Sequence, residues 1–91
     1  MDATKAFQYV YVLQNKAGSW YTGCTSDLRK RLREHKAGNS RYTKHRGPYE
    51  LIYYEACLNK DDAYRRERYL KTGMGRRYLS CRLKLQLEAT A

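Results

Sequence analysis

At 91 residues the chain has the length of a single domain with a modest core. Nineteen Lys and Arg against nine Asp and Glu leave a formal net charge of +10, and ten tyrosines add ring faces to that charge. The balance points to a polyanionic partner, nucleic acid above all. It excludes several other classes. Cys24, Cys57 and Cys81 are widely spaced, with no CxxC or Cys/His metal spacing, so neither a disulfide scaffold nor a zinc module is expected. No apolar run approaches the ~20 residues of a membrane span, and the first residues lack the apolar segment of a secretory signal. A protein without membrane association is expected, in the cytoplasm or another reducing intracellular compartment.

In chain order, "YVYVL" from Tyr9 to Leu13 and "WYT" from Trp20 to Thr22 flank a polar segment with turn formers, the pattern of a β-hairpin. Tyr11 and Tyr21 fall near facing positions of its two strands, and each phenol hydroxyl needs water or a partner. Thr25 or Ser26 is expected to cap a first helix, with Asp27 in its first turn, an end near Lys36 and a stop at Gly38. The polar basic loop "NSRYTKHRGP" follows, from Asn39 to Pro48. "ELIYYEA", Glu50 to Ala56, reads as a third strand. Asn59 caps a second helix, with Asp62 in the position of a capping box, ending near Thr72 before Gly73 and Gly75. A third helix is expected from about Arg76, with Leu79, Leu83 and Leu87 at four-residue spacing. The class is α+β: a small three-stranded antiparallel sheet flanked by helices, in the order β-β-α-β-α-α. One domain is expected over residues 1–91, with its core at about 7–87.

On the first helix, Leu28 and Leu32 set the inward direction. Arg31 and His35 lie close to it, one turn apart, while Arg29, Lys30 and Arg33 point to solvent. An inward arginine either lays its stem over the core, pairs with a sheet residue, or serves a site. On the second helix Glu67 falls between Ala63 and Leu70, on the apolar stripe. It can pair with Lys71 at i,i+4 or bind a metal. Two tyrosines, an Arg, a His and a Glu on one face would supply what phosphodiester hydrolysis needs: a base, a positive charge and a hard oxygen ligand. No close acidic cluster suggests a two-metal site, so a single-metal site fits better. Arg41, Tyr42, Lys44 and Arg46 in the basic loop are candidate phosphate contacts. Arg76 and Arg77 are further candidates at a helix start, where backbone N–H groups also favour anions. For both groups the alternative is an ordinary solvated charge run.

These elements resemble the GIY-YIG nuclease superfamily, and within it the small proteins that are little more than the nuclease domain. Tyr9-Val10-Tyr11 corresponds to the first signature element and Tyr21-Thr22-Gly23 to the second. "TSDLRKRLREH" is similar to the family's Arg-and-His helix, and "DDAYRRERYLK" to the helix with the metal-binding glutamate. The resemblance runs from about Tyr9 to Leu83. It implies a metal-dependent endonuclease acting on DNA, or on RNA, with little sequence specificity. A signature tyrosine, Tyr11 or Tyr21, would help activate water, with His35 as the competing base. Arg31 would stabilise the phosphorane-like charge, and Glu67 would hold one Mg²⁺ or Mn²⁺. Gly23 would allow a tight backbone bend after its strand. Tyr9 stands where the family name has its first glycine, Thr22 where it has isoleucine, and no Asn follows Asn59 to supply a late polar contact. The alternatives are a non-catalytic nucleic-acid-binding module and a subunit that needs a protein partner for activity or targeting.

Overall fold

The computed structural model describes residues 6–38 and 47–90. The elements are β1 (Gln8–Asn15), β2 (Trp20–Thr25), α1 (Leu28–Lys36), β3 (Tyr49–Cys57), α2 (Lys60–Leu70), α3 (Gly73–Arg82) and α4 (Lys84–Ala89). The strands form one antiparallel sheet in the order β2-β1-β3, so the α+β class and the strand arrangement are as expected.

β1 is the central strand, paired with β2 on one side and β3 on the other, and helices cover both of its faces. Val10, Tyr11, Val12 and Leu13 are all buried, although successive strand residues point to opposite sides. Val10 and Val12 pack with Ala63 and Leu70 of α2 and Leu79 of α3 to form the apolar core. Tyr11 faces the other way, toward α1, where its hydroxyl meets His35. The hairpin closes with Gly18 at φ +87°, a left-handed conformation that favours glycine, and with the N–H groups of Asn15 and Gly18 bonded to Ser19 and Asn15 carbonyls at 3.0 Å.

On the core side a polar tie joins β3 to α2. The Tyr53 hydroxyl donates to Glu55 at 2.8 Å, and Arg66 Nε donates to the other Glu55 oxygen at 2.7 Å. The Arg66 guanidinium lies over Tyr69 and Tyr78, with 5.3 Å and 4.8 Å to their ring centres, which extends the tie to α3.

Three boundaries differ from expectation. β2 continues through Gly23 to Thr25, so the first helix starts later. Its cap is Asp27, whose carboxylate accepts from Lys30 N–H at 3.1 Å, while Thr25 Oγ1 accepts from Asp27 N–H. The third helix starts at Gly73 rather than near Arg76, capped by Thr72, whose hydroxyl oxygen accepts from Gly75 N–H at 3.1 Å. It ends at Arg82, and Leu83 at φ −106° separates it from the short α4. Gly75 is therefore a buried helical residue and not a stop. A Cβ there would run into the Tyr69 carbonyl and come within 2.5 Å of Leu70 Cα, so glycine lets α3 lie against the end of α2.

Candidate active site

The β1–β2 register sets Tyr11 opposite Gly23 and Leu13 opposite Tyr21, so Tyr11 and Tyr21 share one face as diagonal neighbours. Their ring centres are 6.2 Å apart. α1 lies on that face. Its turn geometry brings Arg31 and His35 over the two rings, with the imidazole edge-on to both, at 5.7 Å from Tyr11 and 5.1 Å from Tyr21.

Gly23 belongs to this cluster for a reason other than the expected bend. It lies inside β2 without positive φ, and a Cβ on it would sit 2.5 Å from Tyr11 Oη and 2.6 Å from Cζ. The missing side chain is the space that the phenol fills. Gly23→Ala is expected to push the Tyr11 ring off His35, costing roughly 1–3 kcal/mol of stability by overpacking. Cleavage should fall further than the loss of folded protein explains. Thermal melts and cleavage rates on the same preparation would check this.

Tyr11 Oη is 2.9 Å from His35 Nε2 in a buried bond. The Arg31 charge lies close enough to act on both Tyr11 and His35. Arg31 Nη1 also donates to Glu34 Oε1 at 3.0 Å. Burial pushes the Tyr11 phenol up to about 12 against the opposing influence of Arg31, so it stays protonated at neutral pH. Burial first, and the Arg31 charge second, hold His35 below its usual pKa, so the imidazole is neutral there. Arg31 is held above its usual value by its bonds to Tyr11 and then Glu34, and so keeps its charge. A neutral imidazole facing a protonated phenol can take that phenol's proton. Tyr11 is fully buried, whereas Tyr21 is partly exposed, so Tyr21 carries the hydroxyl that can face water.

Glu67 projects from α2, which packs on the Val10/Val12 face of the sheet, and its electrostatic neighbour in the sheet is Cys24 of β2. Its carboxylate, 18% exposed, accepts from Lys71 Nζ at 2.9 Å, the i,i+4 pair weighed from the sequence. Among the described residues no three His, Cys, Asp or Glu side chains come together to hold a metal. One partly exposed carboxylate still suits a magnesium-like ion, which keeps most of its waters and takes one or two protein carboxylates.

Arg76 and Arg77 are exposed on α3. With the helix starting at Gly73, Arg76 N–H is already bonded to the Thr72 carbonyl at 2.9 Å. The Arg76 N–H is therefore not free to favour an anion, contrary to expectation. The Arg76 guanidinium lies over Trp20, 5.0 Å from the ring centre. Arg41, Tyr42, Lys44 and Arg46 lie outside the described residues. Sequence reasoning passed over Glu34, although its i,i+3 spacing from Arg31 marks a helical ion pair.

The α+β domain gathers two tyrosines and a histidine on the α1 face of its sheet, with Arg31 one turn before the histidine. The profile of the "GIY-YIG catalytic domain" matches residues 7–78, and the chain belongs to this family. It is similar to the UPF0213 protein CPE1444 of Clostridium perfringens, at 47% identity over 64 residues and 69% of each chain. It is also similar to the UPF0213 protein BH0048 of Halalkalibacterium halodurans, at 42% identity over 80 residues, 87% of this chain and 79% of that one. A solution NMR structure of the UPF0213 protein BH0048 from Bacillus halodurans aligns at 40% identity over 91% of this chain and 83% of that one, with a TM-score of 0.46.

Proposed function

We propose that the protein is a metal-dependent endonuclease that hydrolyses phosphodiester bonds in nucleic acid, DNA before RNA, with little sequence preference. The observation that carries this reading is the cluster of Tyr11, Tyr21 and His35 on the α1 face of the sheet, with Arg31 beside it on α1.

The hydrogen bonds support a definite division of labour. Tyr21, the partly exposed phenol, orients the attacking water and receives its proton. The Tyr21 proton passes to the Tyr11 oxygen, and the Tyr11 proton passes to His35 Nε2. His35 is the final acceptor because its environment keeps it neutral, whereas a phenol alone, with a pKa of ~10, is mostly protonated near neutral pH. Arg31, beside the Tyr11 phenol and bonded to Glu34 through Nη1, turns its other N–H groups to the phosphate, where negative charge builds in the transition state. Glu67 would hold one Mg²⁺ or Mn²⁺ by a carboxylate oxygen, in competition with Lys71. When bound, that ion supplies positive charge to the phosphate and leaving oxygens. Arg76, Arg77 and the basic loop residues Arg41, Tyr42, Lys44 and Arg46 contact the phosphate backbone. The low sequence preference follows from a net charge of +10 meeting phosphates that carry no sequence information.

The test is a cleavage panel. Tag-free protein is incubated with supercoiled plasmid, branched DNA and structured RNA, each with Mg²⁺, Mn²⁺ or EDTA, beside Arg31→Ala purified in parallel. Metal-dependent cleavage of at least one substrate by the wild type alone is expected. Binding without cleavage in every lane would favour the non-catalytic module.

A further inference from the structure

The Arg31 guanidinium lies near enough to the Tyr11 phenol for its charge to act on it, and Glu34, three residues further along the same helix, accepts from Nη1 at 3.0 Å. Among the described residues Glu34 is the acid paired with Arg31, and the pair is partly open to solvent, with side-chain exposures of 39% and 32%. An exposed helical ion pair of this kind contributes little to stability. Its effect here is local. A guanidinium on a flexible stem has many rotamers, and a fixed acceptor at one nitrogen selects those that leave the others beside the phenols.

We propose that Glu34 is a positioning residue for Arg31, holding the guanidinium over the two phenols at the expense of affinity for the phosphate substrate. This deepens the proposed function and rests on it for its catalytic consequence. The carboxylate stays close to where a scissile phosphate approaches Arg31, so it repels the substrate while it aims the cation. Orientation and affinity are thus set against each other by one side chain.

Glu34 also acts on His35. Burial and Arg31 favour the neutral imidazole, and Glu34 opposes them. Among the described residues, Tyr11 of β1 and Tyr21 of β2 also face His35, while Lys36 of α1 and Tyr49 and Glu50 of β3 line the same cavity. Removing the Glu34 charge therefore lowers the His35 pKa further. If neutral His35 is the proton acceptor, the acid limb of the rate profile moves to lower pH.

The test compares wild type, Glu34→Ala, Glu34→Gln and the remote charge-matched control Glu88→Gln. Both Glu34 variants should bind a short duplex roughly fivefold more tightly, the size of effect expected when one unit charge a few ångströms away is removed. Glu34→Ala should lose roughly three- to tenfold in single-turnover rate. That is less than the ~100-fold cost of a full ångström of misplacement, because α1 still places Arg31 beside the cluster. Glu34→Gln keeps an acceptor oxygen and should recover most of the rate while retaining the tighter binding. Its acid limb should move to lower pH. Glu88→Gln should change neither rate nor limb.

NMR separates a failure of this proposal from a failure of the catalytic reading. In wild type the Arg31 Nη resonances should show restricted rotation and His35 should titrate below its usual range. In Glu34→Ala the restriction should be lost and the His35 midpoint should fall further. These signals need no cleavage. An Arg31 side chain equally ordered without Glu34 would overturn the proposal, whether or not the wild type cuts. An active wild type whose Glu34→Ala rate is unchanged would overturn it too.

Discussion

Arg31→Ala is expected to reduce cleavage by about 10²–10³-fold or more, the range for removing one donor aimed at developing transition-state charge. The loss should lie in the single-turnover rate more than in binding, because the other basic residues still hold phosphate. It should not follow from unfolding, since Arg31 is partly exposed and its ion pair with Glu34 lies at the surface. The fold is checked by a thermal melt. Arg31→Lys is expected to recover little. An ammonium keeps the charge but lacks the planar fork that can bond Glu34 through one nitrogen and aim the others elsewhere.

The second large effect concerns Glu67→Gln. If this carboxylate holds the divalent ion, the variant should fold, bind nucleic acid at least as tightly as wild type, and lose metal-dependent cutting by two orders of magnitude or so, in the ~10²–10³ range of losing one electrostatic stabiliser. If its role is the pair with Lys71, seen at 2.9 Å, the change should cost only ~0.2–0.5 kcal/mol and leave the rate alone. Lys71→Ala sharpens the comparison. A lysine that merely competes for the carboxylate should, when removed, lower the metal concentration needed for half-maximal rate.

The hairpin, the Arg-and-His helix and the third strand were legible because their signals are local. Alternation, a wheel position and a Gly after a helix end need no knowledge of the rest of the chain. The inward positions of Arg31 and His35 followed from Leu28 and Leu32 alone. What was not legible depends on close approach between distant segments. Gly23 read as a bend because nothing nearby in sequence announces that a phenol twelve residues earlier needs its space. Gly75 read as a helix stop for the same reason, although its role is to admit the Leu70 backbone. The boundary at Thr25–Asp27 was misplaced because three consecutive residues can all cap a helix, and the length of β2 decides between them. The position of Glu67 on the helix stripe was readable, but not that α2 covers the sheet face opposite α1, which depends on how the helices pack on the finished sheet.

The division between the tyrosines was also beyond sequence reasoning, because two signature phenols on neighbouring strands look equivalent until burial separates them. Single-turnover cleavage by Tyr21→Phe and Tyr11→Phe, measured together on one labelled duplex, tests the relay most directly. Each change keeps the ring and removes only the hydroxyl. Tyr21→Phe is expected to lose ~100-fold or more, the upper part of the usual range for a positioned proton-transfer group. Tyr11→Phe should also lose activity, since it cuts the path to His35 Nε2 at the 2.9 Å bond. Wild-type rates in both variants, with intact melts, would contradict proton transfer through this pair and return the tyrosines to a packing role.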